Sequence, residues 1–174
     1  DFYRSDDLLL CISKQTKNLV ENVLKDYPKE EWQTQYVPHG IDETKFYPII
    51  NDLEFEAFKE KFYEGKEYDF VVFWNSRNIR RKNPGDLVTA WRVFTDQLTD
   101  EQAERCLFIM HTDPVDGNGT DIPAVIETMC DSKRAKIKFT NGKCDEKTLN
   151  YYYNMADAQF MMTDNEGWGL SLTE

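Results

Sequence analysis

From about residue 68 onward, the chain alternates apolar runs with amphipathic stretches of ten or more residues. The runs "DFVVFWN", "CLFIMH", "AKIKFT" and "AQFMMT" have the length of buried strands, and "NPGDLVTAWRVFTDQL", "DIPAVIETMC" and "DEKTLNYYYNMA" have the character of helices. Strands separated by helices are joined by crossovers, which give a parallel sheet. We therefore predict an α/β fold with a Rossmann-like parallel sheet and helices on both faces. Ligands of such sheets bind beyond the carboxyl ends of the strands, so the loops there should hold the site.

The first part of the chain predicts a smaller β-α-β unit. The strand-like runs "LLLCIS" and "TQYVP" flank a helical stretch with apolar residues at Leu19, Val20, Val23 and Leu24. Residues 39–67 are charged and aromatic, with a short helix expected around Leu53–Tyr63.

These patterns predict three parts. Residues 1–38 form the small β-α-β unit, residues 39–67 form a linker, and residues 68–174 form the larger α/β part. The chain starts at Asp1 and ends within an apparent helix, so we expect an internal piece of a longer protein.

Composition excludes several classes of function. There are 21 Lys and Arg against 32 Asp and Glu, a net charge of −11, which disfavours a nucleic-acid binder. The four cysteines are scattered, which predicts a reduced, cytoplasmic protein. The sequence contains neither a CxxC pair nor an HExxH motif, so it does not predict a metal site. No strand is followed by GxGxxG, and GxxxxGK[ST] does not occur, so a nicotinamide dehydrogenase and a P-loop NTPase are disfavoured.

The loop after the first strand of the second part is basic. In "SRNIRRKNPGD" the cations are Arg77, Arg80, Arg81 and Lys82. Asn83 and Pro84 predict a helix start, with Asn83 as its N-cap, where free N–H groups favour an anion. The loop is therefore a candidate phosphate site, and a solvated run of charges is the alternative.

The end of the chain, "DNEGWGLSLTE", combines two glycines with two carboxylates. Glycines let backbone N–H groups approach a ligand closely, and we expect a final helix to begin here. Glu166 in the loop and Glu174 about one turn into that helix could then face one cleft and accept hydrogen bonds from sugar hydroxyls. A glycine-rich turn with two exposed glutamates is the alternative.

Together these segments resemble the retaining glycosyltransferases of the GT-B fold, in particular glycosyltransferase family 4. "EGWGLSLTE" is similar to the E-x7-E motif of that family, "YVPHGIDETKFYP" to its interdomain segment, and "SRNIRRKN" to its R-x4-K donor-phosphate motif. "LLLCISKQTKNLV" resembles the final strand and helix of the amino-terminal domain. The resemblance therefore implies that residues 1–38 end the acceptor-side amino-terminal domain, that residues 39–67 are the interdomain linker, and that residues 68–174 are most of the nucleotide-sugar-binding carboxyl-terminal domain. The chain departs from the family pattern at His39, Ser76 and Asn83, which stand where the family has asparagine, glycine and glycine.

The resemblance implies roles for individual residues. Arg77 and Lys82 would bind the donor diphosphate, Glu166 would be the catalytic residue beside the sugar, and Glu174 would bind the ribose. The donor sugar and phosphate would meet the backbone of Gly167, Trp168, Gly169 and Leu170. The base would lie near Asn141, Gly142 and Lys143.

The resemblance also implies a function. A hexosyltransferase of this kind transfers a sugar from a nucleotide-diphosphate-sugar to a glycan or lipid acceptor, without a metal or cofactor. Peripheral membrane association would come through the rest of the amino-terminal domain, and the chain alone would be inactive. Two alternatives stay open: a nucleotide-sugar epimerase of the same fold, and a non-catalytic nucleotide- or polyphosphate-binding module.

Overall fold

The computed structural model describes residues 2–27, 29–131, 133–140 and 142–174. The chain divides into two compact units. The first comprises Asp1–Ile41 and Asn165–Thr173, and the second comprises Asp42–Asp164 and Glu174.

The first unit contains the predicted β-α-β arrangement. After a single helical turn, α1 (Phe2–Ser5), strand β1 (Leu9–Cys11) leads through helix α2 (Lys14–Val23) into the parallel strand β2 (Thr34–Tyr36). Ser13 caps the start of α2, since its hydroxyl accepts a hydrogen bond from the Thr16 backbone N–H at 3.0 Å. The buried core of this unit is small and is formed by Cys11, Val20 and Leu24.

The second unit is built on a four-stranded parallel sheet. Its elements in chain order are α3 (Leu53–Tyr63), β3 (Phe70–Asn75), α4 (Pro84–Asp96), α5 (Asp100–Glu104), β4 (Cys106–His111), α6 (Ile122–Met129), β5 (Ile137–Phe139), α7 (Glu146–Met155) and β6 (Ala158–Gln159). The strand order is β5-β4-β3-β6, and all three pairings are parallel. The predicted fold class is therefore confirmed. The chain first builds outward from β3 to β5 and then returns to place β6 on the other side of β3. That change of direction marks the point where open α/β sheets bind ligands.

Both faces of this sheet are covered, which explains why β3 and β4 are continuously apolar. One face packs Val72 and Trp74 against α4 and α6, with Trp91 fully buried among them. The opposite face packs Val71 and Phe73 against α3 and α7. Successive residues of one strand thus enter different cores, as the two-residue period of a strand requires.

Part of the predicted linker belongs to the second unit. In α3, Phe55 and Tyr63 are only 6% and 4% exposed, and both lie in the core against α7. Residues 47 and 49 are also fastened to α7, because the backbone N–H of Ile49 donates to the Asn154 side chain at 2.8 Å. Glutamates and lysines alternate with the aromatic residues of α3, so the sequence looks charged and does not indicate that one face of this helix is buried.

The predicted final helix is not present as an α-helix in the described residues. Leu170–Leu172 form a short 3-10 helix, preceded by Gly169 in the left-handed region with φ of 84°. The Leu170 carbonyl accepts from the Thr173 N–H at 2.8 Å, a three-residue turn instead of the four-residue turn of an α-helix. Glu174 therefore follows a tight turn and is not one turn into a helix.

Among the described residues, we find no helix with the length and apolarity needed to cross a membrane.

Candidate functional site

A pocket of about 540 Å³ opens at the carboxyl edge of the second unit's sheet. Asn75 and His111 end strands β3 and β4, and Thr140 directly follows β5. The pocket is lined by Asn75, Ser76, Arg77, His111, Thr112, Asp113, Pro114, Thr140, Gly142 and Lys143. Polar groups thus converge where the parallel topology predicted a ligand.

Arg77 supplies a cation to this pocket. Its side chain is largely exposed, and its Nε donates to Oδ2 of Asp116 at 3.1 Å. Hydrogen bonds from the Asn118 backbone N–H and from Arg77 hold the pKa of Asp116 below its usual value, so this carboxyl stays ionised. An anion in the pocket would therefore meet a guanidinium whose orientation is set by Asp116.

The loop that carries Arg77 is joined to the loop after β4 by Asn78. This side chain is fully buried, donates from Nδ2 to the Thr120 carbonyl at 2.7 Å and accepts at Oδ1 from the Thr120 N–H at 2.9 Å. It also donates to the Asp113 carbonyl at 3.1 Å. Sequence reasoning missed Asn78, because its partners are backbone groups 35–42 residues away and leave no side-chain pattern.

The second predicted phosphate ligand lies in a different environment from the first. Lys82 is the last residue of a 3-10 helix, Arg80–Lys82, and is 8% exposed, and it is not part of the pocket lining described above. The structure therefore does not bring Lys82 together with Arg77 in this pocket.

Asn83 occupies the predicted N-cap position of α4 but does not cap it. Its backbone is left-handed, with φ of 45°, whereas a capping asparagine is extended. Its Nδ2 donates instead to Oδ1 of Asp164 at 2.9 Å. Pro84 occupies the first turn of α4 as predicted.

His111 gives the pocket an uncharged wall. Its Nδ1 lies 2.6 Å from the Thr140 hydroxyl, and its Nε2 lies 3.8 Å from Sγ of Cys144. Burial lowers the pKa of His111, which favours the neutral imidazole. The hydrogen bond to Thr140 links the ends of β4 and β5.

Glu174 is connected to the pocket through one intervening side chain. Its Oε2 accepts from the Tyr153 hydroxyl at 2.7 Å, and the same hydroxyl accepts from Nδ2 of the pocket residue Asn75 at 2.8 Å. Burial, the largest influence, raises the pKa of Tyr153, so its hydroxyl keeps its proton. Tyr153 was also missed by sequence reasoning, since it stands in a run of three tyrosines that predicts only a helix.

The predicted base contacts lie at the pocket as well. Gly142 and Lys143 line it, and Gly142 has a left-handed φ of 61° with its N–H bonded to the Thr140 carbonyl at 3.1 Å. Asn141 lies outside the described residues.

The predicted sugar contacts belong to the first unit. There, the Trp168 ring meets His39 edge-on with centroids 6.2 Å apart. A Cβ on Gly167 would lie 3.1 Å from the Ile12 side chain, and Gly169 is buried. Glu166 is half-buried, and Leu170 is exposed.

In the described part of the chain, no group of three or more His, Cys, Asp or Glu side chains is placed to hold a metal ion.

No family model matches the chain, and no curated protein matches it. Solved structures do. WaaG, a glycosyltransferase involved in lipopolysaccharide biosynthesis, is 17% identical with a TM-score of 0.67, and the match covers 94% of this chain and 40% of that one. A glycosyltransferase from Rickettsia africae is 16% identical with a TM-score of 0.62, covering 93% and 40%.

A third similar structure, from E. coli and described as trehalose-6-phosphate bound with UDP-2-fluoro glucose, is 13% identical with a TM-score of 0.63. The match covers 92% of this chain and 41% of that one. The chain thus spans about two fifths of the length of the structures it resembles. These likenesses show the fold: the chain has the architecture of part of a GT-B glycosyltransferase.

Proposed function

We propose that this chain is the donor-binding part of a glycosyltransferase that takes its sugar from a nucleotide-diphosphate-sugar. The observation that carries this proposal is the pocket at the carboxyl edge of the sheet, with Arg77 on one side and a fixed carboxylate, Glu174, one hydrogen-bonded residue away. A similar structure bound with UDP-2-fluoro glucose supports the same ligand class.

Arg77 suits the diphosphate. Cleavage of a glycosyl–phosphate bond places negative charge on the leaving diphosphate, and a positioned guanidinium stabilises that charge more in the transition state than in the ground state. We assign Arg77 as the first diphosphate ligand and Lys82, in the 3-10 helix of the same loop, as the second.

The remaining parts of the donor are assigned by the chemistry of the residues. Glu174 accepts hydrogen bonds from the ribose hydroxyls. The base lies against the neutral His111 and the turn at Gly142 and Lys143. Glu166 and the backbone of residues 167–170 are proposed for the sugar, where a carboxylate stabilises developing positive charge.

The finer features of the reaction are also part of the proposal. We propose family 4-type transfer with retention, to a glycan or lipid acceptor, without a metal or cofactor, in the cytoplasm. Peripheral membrane association would come from a part of the protein beyond this chain.

Calorimetry with UDP, ADP and GDP tests the site. Replacing Arg77 with alanine and Lys82 with methionine should together weaken binding by about 2–4 kcal/mol, because each charge-assisted hydrogen bond contributes roughly 1.5–3 kcal/mol and the two overlap. Methionine keeps the apolar stem of the buried lysine, and thermal unfolding shows whether the variants are folded.

Arg80→Ala is the matched control, because Arg80 is an exposed cation in the same loop. Unchanged affinity in the double variant, or an equal loss in Arg80→Ala, would remove the diphosphate assignment. Sugar transfer by the longer protein, lost in the same double variant, distinguishes an enzyme from a binding module.

A further inference from the structure

Tyr153 lies between the carboxylate and the pocket, and its role goes beyond packing. Its hydroxyl donates to Oε2 of Glu174 at 2.7 Å and accepts from Nδ2 of Asn75 at 2.8 Å. We propose that Tyr153 is a positioning residue, which holds Glu174 ready for the two ribose hydroxyls and thereby makes the site selective for ribonucleotides over deoxynucleotides. This inference rests on the proposed function.

The direction of both hydrogen bonds is fixed by protonation. The hydroxyl of Tyr153 has one proton, which it donates to Oε2 of Glu174. The hydroxyl oxygen must then accept from the Asn75 amide, which turns the amino group of Asn75 toward Tyr153. Burial favours the protonated phenol, so the arrangement persists through the neutral pH range.

The Tyr153 ring is held by its surroundings. It meets Phe73 edge-on with ring centroids 5.1 Å apart, and Phe46 edge-on at 5.9 Å. Helix α7 is itself fastened to the preceding segment, since Asn150 donates to the Tyr47 carbonyl at 3.1 Å. The hydroxyl therefore has little freedom to move away from Glu174.

The consequence for ligand binding follows from the two oxygens of a carboxylate. Tyr153 donates to Oε2 of Glu174, which leaves Oε1 and the remaining lone pairs of this carboxylate free to accept hydrogen bonds from the vicinal hydroxyls of a ribose. An unrestrained glutamate would lose rotamer freedom on binding, and pre-ordering it avoids that loss. A ligand without ribose hydroxyls gains nothing from a pre-ordered Glu174.

The test compares UDP, ADP and GDP with their 2′,3′-dideoxy counterparts by calorimetry. For the ribonucleotide that binds wild type best, Tyr153→Phe should weaken binding about 3- to 10-fold, the effect of one newly mobile side chain. The same variant should bind the matching dideoxynucleotide as wild type does. Phenylalanine keeps both ring contacts, so the fold is expected to survive.

Two further variants make the result decisive. Tyr151→Phe, on the same helix, removes a buried hydroxyl that takes no part in the Asn75–Tyr153–Glu174 chain, and should leave the ribose preference unchanged. Glu174→Gln should reduce the preference, and adding Tyr153→Phe to it should cause no further loss of preference. Should Tyr153→Phe prove unstable, the ratio of ribonucleotide to dideoxynucleotide affinity in Glu174→Gln still tests whether this carboxylate binds the ribose.

The outcomes separate the inference from the function on which it rests. An equal loss for ribo- and dideoxynucleotides, or no loss for either, would overturn the positioning role and leave the proposed function standing. Wild-type protein that bound none of the nucleotides would contradict the proposed function itself.

Discussion

The two units bury their strands to very different extents. In the second unit both faces of the sheet are covered, and Trp91 and Phe108 have no exposed surface. Among the described residues of the first unit, a two-stranded sheet has a core of three buried residues, and Leu10 and Trp32 are 60% and 61% exposed. The second unit therefore holds most of the apolar burial that stabilises a fold, while the first relies on a few contacts.

This difference bears on the site. The pocket and the Asn75–Tyr153–Glu174 chain lie within the second unit, whose sheet is covered on both faces. Binding groups supported by such a core keep their geometry. We accordingly expect the proposed nucleotide site to be as stable as the second unit and insensitive to substitutions on the exposed surface of the first.

The largest expected effect is the difference in stability between replacing a buried tryptophan in the second unit and replacing an exposed one in the first. Trp91→Ala removes a fully buried ring and its hydrogen bond to the Lys136 carbonyl, which should cost about 3–5 kcal/mol of unfolding free energy. Trp32→Ala in the first unit removes a mostly exposed ring, and should change stability by no more than about 0.5 kcal/mol. Urea unfolding measures both, and comparable losses would erase the contrast between the units.

An intermediate effect should come from the loop after β4. A Cβ on Gly119 would lie 2.3 Å from both the Asn78 carbonyl and its side-chain oxygen, so Gly119→Ala should cost about 1–3 kcal/mol and loosen the loop that orients Arg77. Gly117→Ala is the matched control, because a Cβ there meets nothing within 4 Å. Thermal unfolding and nucleotide titration of both variants check this, and equal behaviour would show that Asn78 does not lock the two loops.

The smallest effect should be a pH dependence located at the pocket. Burial lowers the pKa of His111 below 6.5, so at pH values between the lowered pKa and 6.5 this histidine is protonated in the unfolded chain and neutral in the folded one. This contribution to stability is complete above pH 6.5 and is lost as the pH falls toward the lowered value. His111→Asn should flatten that part of the curve in urea unfolding between pH 7.5 and about 5.5. An unchanged slope would place the pH dependence elsewhere in the chain.

Local patterns were enough to predict most of the second unit's elements. Continuous apolar runs indicated strands covered on both faces, and their alternation with helices indicated parallel pairing, which directed attention to the carboxyl edge of the sheet, where Arg77 lines a pocket. Pro84 marked the first turn of α4. These features depend on backbone geometry and on the period of apolar residues, both of which are visible within a short window of sequence.

Other features depended on partners distant in the chain. Asn78 bonds to backbone groups of the loop after β4, Tyr153 bridges residues 78 positions before and 21 positions after it, and Asn83 turns to Asp164 instead of capping its own helix. The local sequence does not reveal such roles, because an asparagine or tyrosine at these positions would look the same whether or not it had a distant partner. The sequence by itself determined the parallel α/β architecture, and with it the sheet edge at which the candidate site lies. Only the tertiary structure decided which side chains hold it in shape, because packing brings together groups that no short stretch of sequence contains.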